Sequence, residues 1–444
     1  MTAPQESPTK LNRAITGPLL YLFILGDVLG AGIYALVGVL SGEVGGALWV
    51  PLVVALALAL LTAGSYAELV TKYPRAGGAA VFAERAYGKP IISFLVGFSM
   101  LAAGVTSAAG LSLAFSGAYL RQFIDVPAVP AAIVFLALIA LLNARGIKES
   151  LRGNVVMTII ELTGLVIVVV AVAIMLGAGN ADPSRITEFP AGASPALATL
   201  GGAIIAYYSF VGFEVSANVA EEVRNPSRIY PRALFGALAT AGVMYVLIGL
   251  AASMAMPADE LSGSTSPLLD VVEATGLGIP PQLFSFIALV AVANGALLTM
   301  IMASRLTYGM AEQRLLPSVL GRVLPNRRTP WVAILATTAV AMILTATGGL
   351  ASLAETVVLL LLFVFISTNI AVLVLRRDRV EHKHFRVWTF VPVLGVASCI
   401  LLLTQQDGDV WVRGLVLIGV GVVLYFLTLL RRKTTKPELD DYRR

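Results

Sequence analysis

Long apolar stretches, separated by short polar or Gly/Pro-bearing connections, run the length of this 444-residue chain. Leu48–Leu61, Ile133–Leu142, Leu165–Leu176 and Leu415–Leu430 are examples. With small and weakly polar neighbours, each reaches about 20 residues, the length a helix needs to cross a hydrocarbon layer. The pattern predicts an all-α polytopic membrane protein with twelve spans: 17–41, 46–70, 91–120, 127–144, 153–178, 196–222, 231–256, 281–311, 330–347, 352–375, 387–404 and 410–430. They are called spans one to twelve below. The longer connections are 71–90, 179–195, 257–280 and 312–329, and none is long enough to form a second soluble domain.

Composition agrees. Apolar residues make up 58% and charged residues 13% of the chain, where a soluble domain carries roughly 25% charged residues. A mean hydropathy of +0.87 excludes a single soluble core. The net charge of +5 is a matter of placement. An even number of spans puts both termini on one side, with the basic loops around Lys72–Lys89, Arg145–Arg152, Arg224–Arg232, Arg305–Arg328 and Arg376–Arg386. Lys10, Arg13 and the Arg431–Arg444 tail fall there too. Of 31 Lys and Arg residues, only Arg121, Arg185 and Arg413 remain for the other side, which also holds the acidic stretch Asp259–Asp270. The positive-inside rule therefore predicts a multi-pass protein of the cell membrane with both termini cytoplasmic. The basic excess is a topological signal, so nucleic acid is not an expected partner.

Other chemistries find little support. The polar first 17 residues lead into an apolar run too long for a signal peptide, and no A-x-A site ends it, so span one is expected to be retained. Cys399 is the single cysteine and has no partner for an intrachain disulfide. His382 and His384 are the only histidines and sit in a basic loop without a carboxylate or thiol cluster. No Walker A sequence is present, which argues against an ATP-driven pump. The chain is not expected to be an enzyme or to hold a cofactor or metal. Its oligomeric state is left open by the sequence.

Two spans are interrupted. Span one reads Gly26-Asp27-Val28-Leu29-Gly30-Ala31-Gly32-Ile33-Tyr34. Unwinding there would offer N–H groups to an anion and carbonyls to a cation. Tight helix packing would explain the same glycines. Span six reads Gly201-Gly202-Ala203-Ile204-Ile205-Ala206-Tyr207-Tyr208-Ser209-Phe210-Val211-Gly212-Phe213-Glu214, with its own interruption at Ser209–Glu214. Spans one and six are corresponding members of two five-helix halves. Matching interruptions of that kind point to a substrate site near the bilayer midplane.

Four blocks carry a family resemblance. They are Gly26–Gly32; Pro74-Arg75-Ala76-Gly77-Gly78-Ala79-Ala80-Val81-Phe82 with Tyr87-Gly88; Phe210–Glu214 with Glu221-Glu222-Val223-Arg224-Asn225-Pro226 and Ile229–Arg232; and Ala303–Arg305 with Tyr308–Ala311, Leu316-Pro317 and Arg328–Trp331. In this order and spacing the chain resembles amino acid permeases of the amino acid–polyamine–organocation superfamily over nearly its whole length. The resemblance implies a first five-helix repeat at 17–178, an inverted second repeat at 196–375, helices eleven and twelve at 387–430, and tails at 1–16 and 431–444. It also implies alternating access. Backbone of Gly30, Ala31, Gly32 and Ile33 would receive the substrate carboxylate, at a half-helix N-terminus that favours anions. Carbonyls of Phe210, Val211 and Gly212 would receive the amine. Ala31 stands where many relatives have Ser, so a hydroxyl contact is lost. Tyr208 matches a gating aromatic of the arginine–agmatine antiporter, and Tyr207 is its neighbour in the lining; an ordinary core aromatic is the other reading of Tyr208.

One departure stands out. Several relatives carry a lysine in helix five, and the matching position here is Glu161. Carboxylates also occur in or near spans at Asp27, Glu68, Glu214 and Glu355. A charge at the bilayer centre costs roughly 2.5–3.5 kcal/mol on insertion scales. Such groups are protonated, paired or hydrated, and a protonated one can carry the coupling ion. Glu161 shares a helical face with Asn154 and Thr158, and Glu214 follows the break in span six. Glu68 and Glu355 are assigned to span edges in hydrogen-bonded or solvated roles, and Asp27 to a tie between helix one and a neighbour. Span eight offers oxygens at Asn294 and Thr299 but lacks an adjacent Ser/Thr pair of the kind that often completes a sodium site. The sequence therefore predicts a secondary transporter of amino acids, working as a proton-linked symporter or exchanger. Glu161 is the first coupling candidate and Glu214 the second. Neutral amino acids are favoured, cationic amino acids or polyamines come next, and a channel is the rival class.

Overall fold

The computed structural model describes residues 15–434, apart from 76, 146–147, 314, 325–326 and 328 and the side chains of 31, 118, 148–152 and 430–434. The predicted tail residues Lys10, Arg13, Lys436, Arg443 and Arg444, and the loop residues Ala76, Arg314 and Arg328, lie outside the described residues, as does the side chain of Ala31.

Each predicted span is occupied by helix. Prolines open many of them, at Pro18, Pro90, Pro195, Pro226 and Pro281. Proline suits the first helical turn, where its missing N–H is no loss. Ten helical stretches are long and apolar enough to cross a membrane. Trp331–Thr347 and Phe390–Leu403, at spans nine and eleven, have 17 and 14 residues. At a 1.5 Å rise per residue both fall short of a hydrocarbon layer of about 30 Å. The loops at 71–90 and 257–280 contain short helices, Gly78–Tyr87, Ala258–Gly263 and Pro267–Ala274. Among the described residues there is no sheet, only an isolated parallel bridge between Ile15 and Val223.

The burial pattern is that of a protein solvated by lipid. Spans four, five and twelve turn large apolar side chains outward, among them Leu138, Leu141, Val156, Ile159, Val166, Val170, Val416, Val420 and Phe426. Exposed apolar surface on this scale is unusual for a water-soluble molecule. Polar groups are instead drawn inside, including Glu68, Glu161, Glu214, Asn294 and Asn369. Together with the apolar spans, this describes a multi-pass membrane protein.

The loops gather into two sets. Ile15 bonds the backbone of Glu222 and Arg224, Lys72 bonds Leu375 O, and Thr329 bonds Ala144 O. In the other set, Gly46 N–H donates to Glu188 O and Asp182 N–H to Met254 O, while Trp49 Nε1 donates to Ile186 O. The first set is the Lys/Arg-rich one. Between the two ends, spans one, two, six and seven pack on one another, and span three runs against spans eight and ten.

Candidate functional site

Span one forms two helices, Gly17–Leu29 and Ala31–Val44, separated at Gly30 (φ −35°, ψ −152°). The break is sharp because close neighbours hold both sides. A Cβ on Gly26 would meet Thr158 Oγ1 at 2.0 Å, and one on Gly32 would meet Ser209 Cα at 2.7 Å. The glycines thus let span one approach span five on one side and span six on the other. Both sequence readings, close packing and a broken helix, hold at once.

Span six breaks differently. Its helix Pro195–Phe210 ends at Val211, Gly212 takes φ +124°, and Phe213–Glu222 continues as a ten-residue 3₁₀ helix. A positive φ is available to glycine at little cost. Here a Cβ would also meet Asp27 O at 2.8 Å. Glu214 Oε2 accepts the Gly212 N–H at 2.9 Å, so the carboxylate caps the broken backbone.

The two breaks face one cavity of about 50 Å³. Gly30 and Gly32 line it from span one, and Tyr208, Ser209, Val211, Gly212 and Glu214 from span six. Gly295, Thr299 and Met302 come from span eight, Met100, Gly104, Ser107 and Leu111 from span three, and Val357 and Leu361 from span ten. The N-terminal amides of the second half-helix begin at Ala31, which places a partial positive charge there. On the span-six side, Gly212 O already accepts from Val215 N–H and Tyr208 O from Val211 N–H. Val215 and Met302 also line a larger cavity of about 1180 Å³, with Gly77, Asn154, Glu222 and Arg305, at the Lys/Arg-rich end.

The predicted residues divide into three groups. Gly30, Gly32, Tyr208, Val211, Gly212, Glu214 and Thr299 line the small cavity. Tyr208 Oη lies 3.1 Å from Ser107 Oγ, and Thr299 Oγ1 donates to Gly295 O at 2.6 Å. Ile33, Tyr207 and Phe210 are buried and do not belong to that lining. Tyr207 faces Phe365 and Phe210 faces Tyr245. Neighbouring helix positions point about 100° apart, so Tyr207 and Tyr208 cannot share one face. Glu161 and Asn294 form the third group, a buried polar cluster behind span one. Asn294 Nδ2 donates to Glu161 Oε1 and to Asn154 Oδ1, both at 2.9 Å. Glu161 Oε2 has no partner among the described residues.

One residue escaped the sequence reading. Tyr245, on span seven, places its Oη 2.5 Å from Val28 O and 3.0 Å from Ser209 O. It ties together the carbonyls that precede the two breaks. A lone tyrosine in an apolar span carries no signal of that duty. Asp27 was read as a tie between helices, yet it lines the cavity, and its Oδ2 has no partner among the described residues. Glu68, by contrast, has the hydrogen-bonded role expected of it, in a bidentate pair with Arg376 at 3.0 and 2.9 Å.

Broken helices meeting at one cavity inside a lipid-solvated helical bundle define a membrane transporter. Residues 18–426 match the amino acid permease family model, and the chain belongs to that family. It is 27% identical to the methylthioribose transporter of Bacillus subtilis (strain 168), over 95% of each chain. It is 25% identical to the branched-chain amino acid permease of the same organism, over 96% of this chain and 95% of that one. It is 24% identical to the low-affinity putrescine importer of Escherichia coli (strain K12), over 99% and 98%.

Proposed function

We propose that this permease is a secondary transporter of amino acids across the cell membrane, working by alternating access. In this reading 17–178 and 196–375 are inverted five-helix repeats, 387–430 adds two helices, and both termini are cytoplasmic. The observation that carries it is the convergence of two helix breaks on one cavity. Amides after Gly30 suit a carboxylate, and carbonyls at Phe210 and Val211 suit an ammonium. The larger cavity lies at the Lys/Arg-rich end, which this reading places in the cytoplasm, and it supports an inward-facing state.

Neutral, apolar amino acids are favoured. Away from the breaks, the wall is mainly apolar, with Met100, Ala103, Leu111, Met302, Val357 and Leu361 beside Ser107 and Thr299, and no Lys or Arg among the described residues belongs to the lining. A cationic amino acid or polyamine is the second reading, favoured by Asp27 and Glu214 in the same wall and by the likeness to a putrescine importer. Coupling to protons, as symport or exchange, is supported by interior carboxylates without a basic partner among the described residues. Glu161 is the first candidate and Glu214 the second, with Asn294 holding Glu161 and Thr299 at the cavity edge.

Counterflow of labelled amino acids in proteoliposomes tests this. Saturable counterflow that is inhibited by free amino acids, but poorly by their methyl esters, is expected. Non-saturable flux indifferent to the carboxylate would replace the carrier with a channel.

A further inference from the structure

Asp27 is the carboxylate that neither the helix-break geometry nor the coupling candidates use. It sits one turn before Gly30, in the wall of the small cavity, with Glu214 in the same wall. Its Cγ lies 3.2 Å from where a Gly212 Cβ would be, so the missing side chain at Gly212 keeps the Asp27 carboxyl beside the break in span six. Glu214 anchors the other strand of that break through the Gly212 N–H. Asp27 Oδ2 is sealed from solvent and has no partner among the described residues.

Among the described residues, the surrounding elements supply no compensating cation. Span five presents Glu161, which bonds Asn294 of span eight. Span seven presents Tyr245, engaged with Val28 O and Ser209 O, and Tyr230, engaged with Ser216. The second half of span one presents Tyr34, which donates to Glu161 O. Span six adds Tyr208, which pairs with Ser107. On span eight, Arg305 lines the larger cavity and not the small one. Two carboxylates in one small, cation-free cavity repel each other, and such pairs hold a proton between them.

We infer that Asp27 and Glu214 form a carboxyl pair that binds one proton together with the substrate, one member ionised toward the ammonium and the other protonated. The inference rests on reading the cavity as the amino acid site. The proton comes from the solution that supplies the substrate, resides on a carboxyl oxygen of the pair, and leaves to the opposite solution when the substrate does. Both carboxylates ionised beside a substrate carboxylate would be strongly disfavoured, so affinity falls as pH rises. Asp27 acts through charge and needs no direct contact with the substrate.

Calorimetric titration of the purified full-length protein with L-leucine, L-lysine and putrescine tests the pair. Each titration is run in two buffers of different ionisation enthalpy across about pH 5–9, a window wide enough to include a strongly shifted carboxyl. Wild type should take up about one proton per amino acid bound, with log Kd rising by about one per pH unit at the alkaline end. Asp27→Asn, and Asp27→Ser as a second variant, should take up none and show a flat profile. Amino acid binding by wild type without proton uptake overturns the pair while leaving the amino acid reading intact, and so does proton uptake that survives in both variants. Failure of all three ligands to bind overturns the reading of the cavity and the pair with it.

Discussion

Glu68 and Glu161 are both buried carboxylates on apolar helices, at 2% and 0% exposure. Their surroundings are opposite. Glu68 takes two bonds from Arg376 and a third from Val387 N–H at 3.0 Å. Lys72 Nζ caps Leu375 O and Asp378 O nearby, both at 2.6 Å, and Arg376 also donates to Val387 O. The buried carboxylate there is matched by a guanidinium, and the loop after span ten is fastened to span two. Glu161 receives one amide bond from Asn294, and its second oxygen has no partner among the described residues. Asp27 and Glu214 likewise lack an ion pair with Lys or Arg among the described residues. Complete pairing marks a structural joint. Incomplete pairing in a dry interior marks a group whose charge can change.

The largest expected effect falls on the joint. Arg376→Ala leaves Glu68 buried and unmatched, which should lower stability by about 3–5 kcal/mol. Thermal unfolding in detergent reads this, and an unchanged midpoint would show that the pair is ornamental. Adding Glu68→Gln should recover part of the loss.

The next effect falls on the break in span six. Gly212→Ala forces a side chain into φ +124° and against Asp27 O. Strain of about 1–3 kcal/mol is expected, seen as a drop of roughly 5- to 150-fold in amino acid affinity. Native-like affinity would mean that the break is not required for binding. Tyr245→Phe removes one hydroxyl shared by two carbonyls. A net hydrogen bond is worth about 0.5–1.5 kcal/mol, so uptake should fall by roughly 2- to 10-fold, with expression as in wild type.

Glu161→Gln has the smallest effect on stability and the sharpest one on the comparison. The amide keeps the shape and can still accept from Asn294, so unfolding should move by less than about 1 kcal/mol. Uptake should lose the pH dependence of its turnover rate, while the pH dependence of substrate affinity, which the Asp27–Glu214 pair carries, stays. An unchanged pH profile, or a requirement for sodium, would make Glu161 a hydrogen-bonding residue like Glu68.

Much of the molecule was legible in advance. Apolar run length located the helices because lipid imposes a length, and Gly30 and Gly212 announced the breaks because few other residues tolerate such close approach or positive φ. Residues whose roles depend on distant partners were not legible. Glu68 and Arg376 lie 308 positions apart. Tyr207 and Tyr208 look alike in sequence but face different surroundings, and the choice is made by the rotation of span six against Phe365 and Ser107. The 3₁₀ stretch Phe213–Glu222 was read as plain continuation of span six, since its tighter winding leaves no compositional mark.

The bridge at Ile15 supplies an experimental handle. Ile15 N–H donates to Glu222 O and Ile15 O accepts from Arg224 N–H, both at 3.0 Å. The chain ahead of span one is therefore stitched to the far end of the broken sixth span. A fluorophore on the exposed Thr16 reports on that half-helix, whereas one on the exposed Ser318 sits on the loop after span eight. Energy transfer between the two dyes in single reconstituted molecules would turn each rearrangement of span six against span eight into a recorded change of distance.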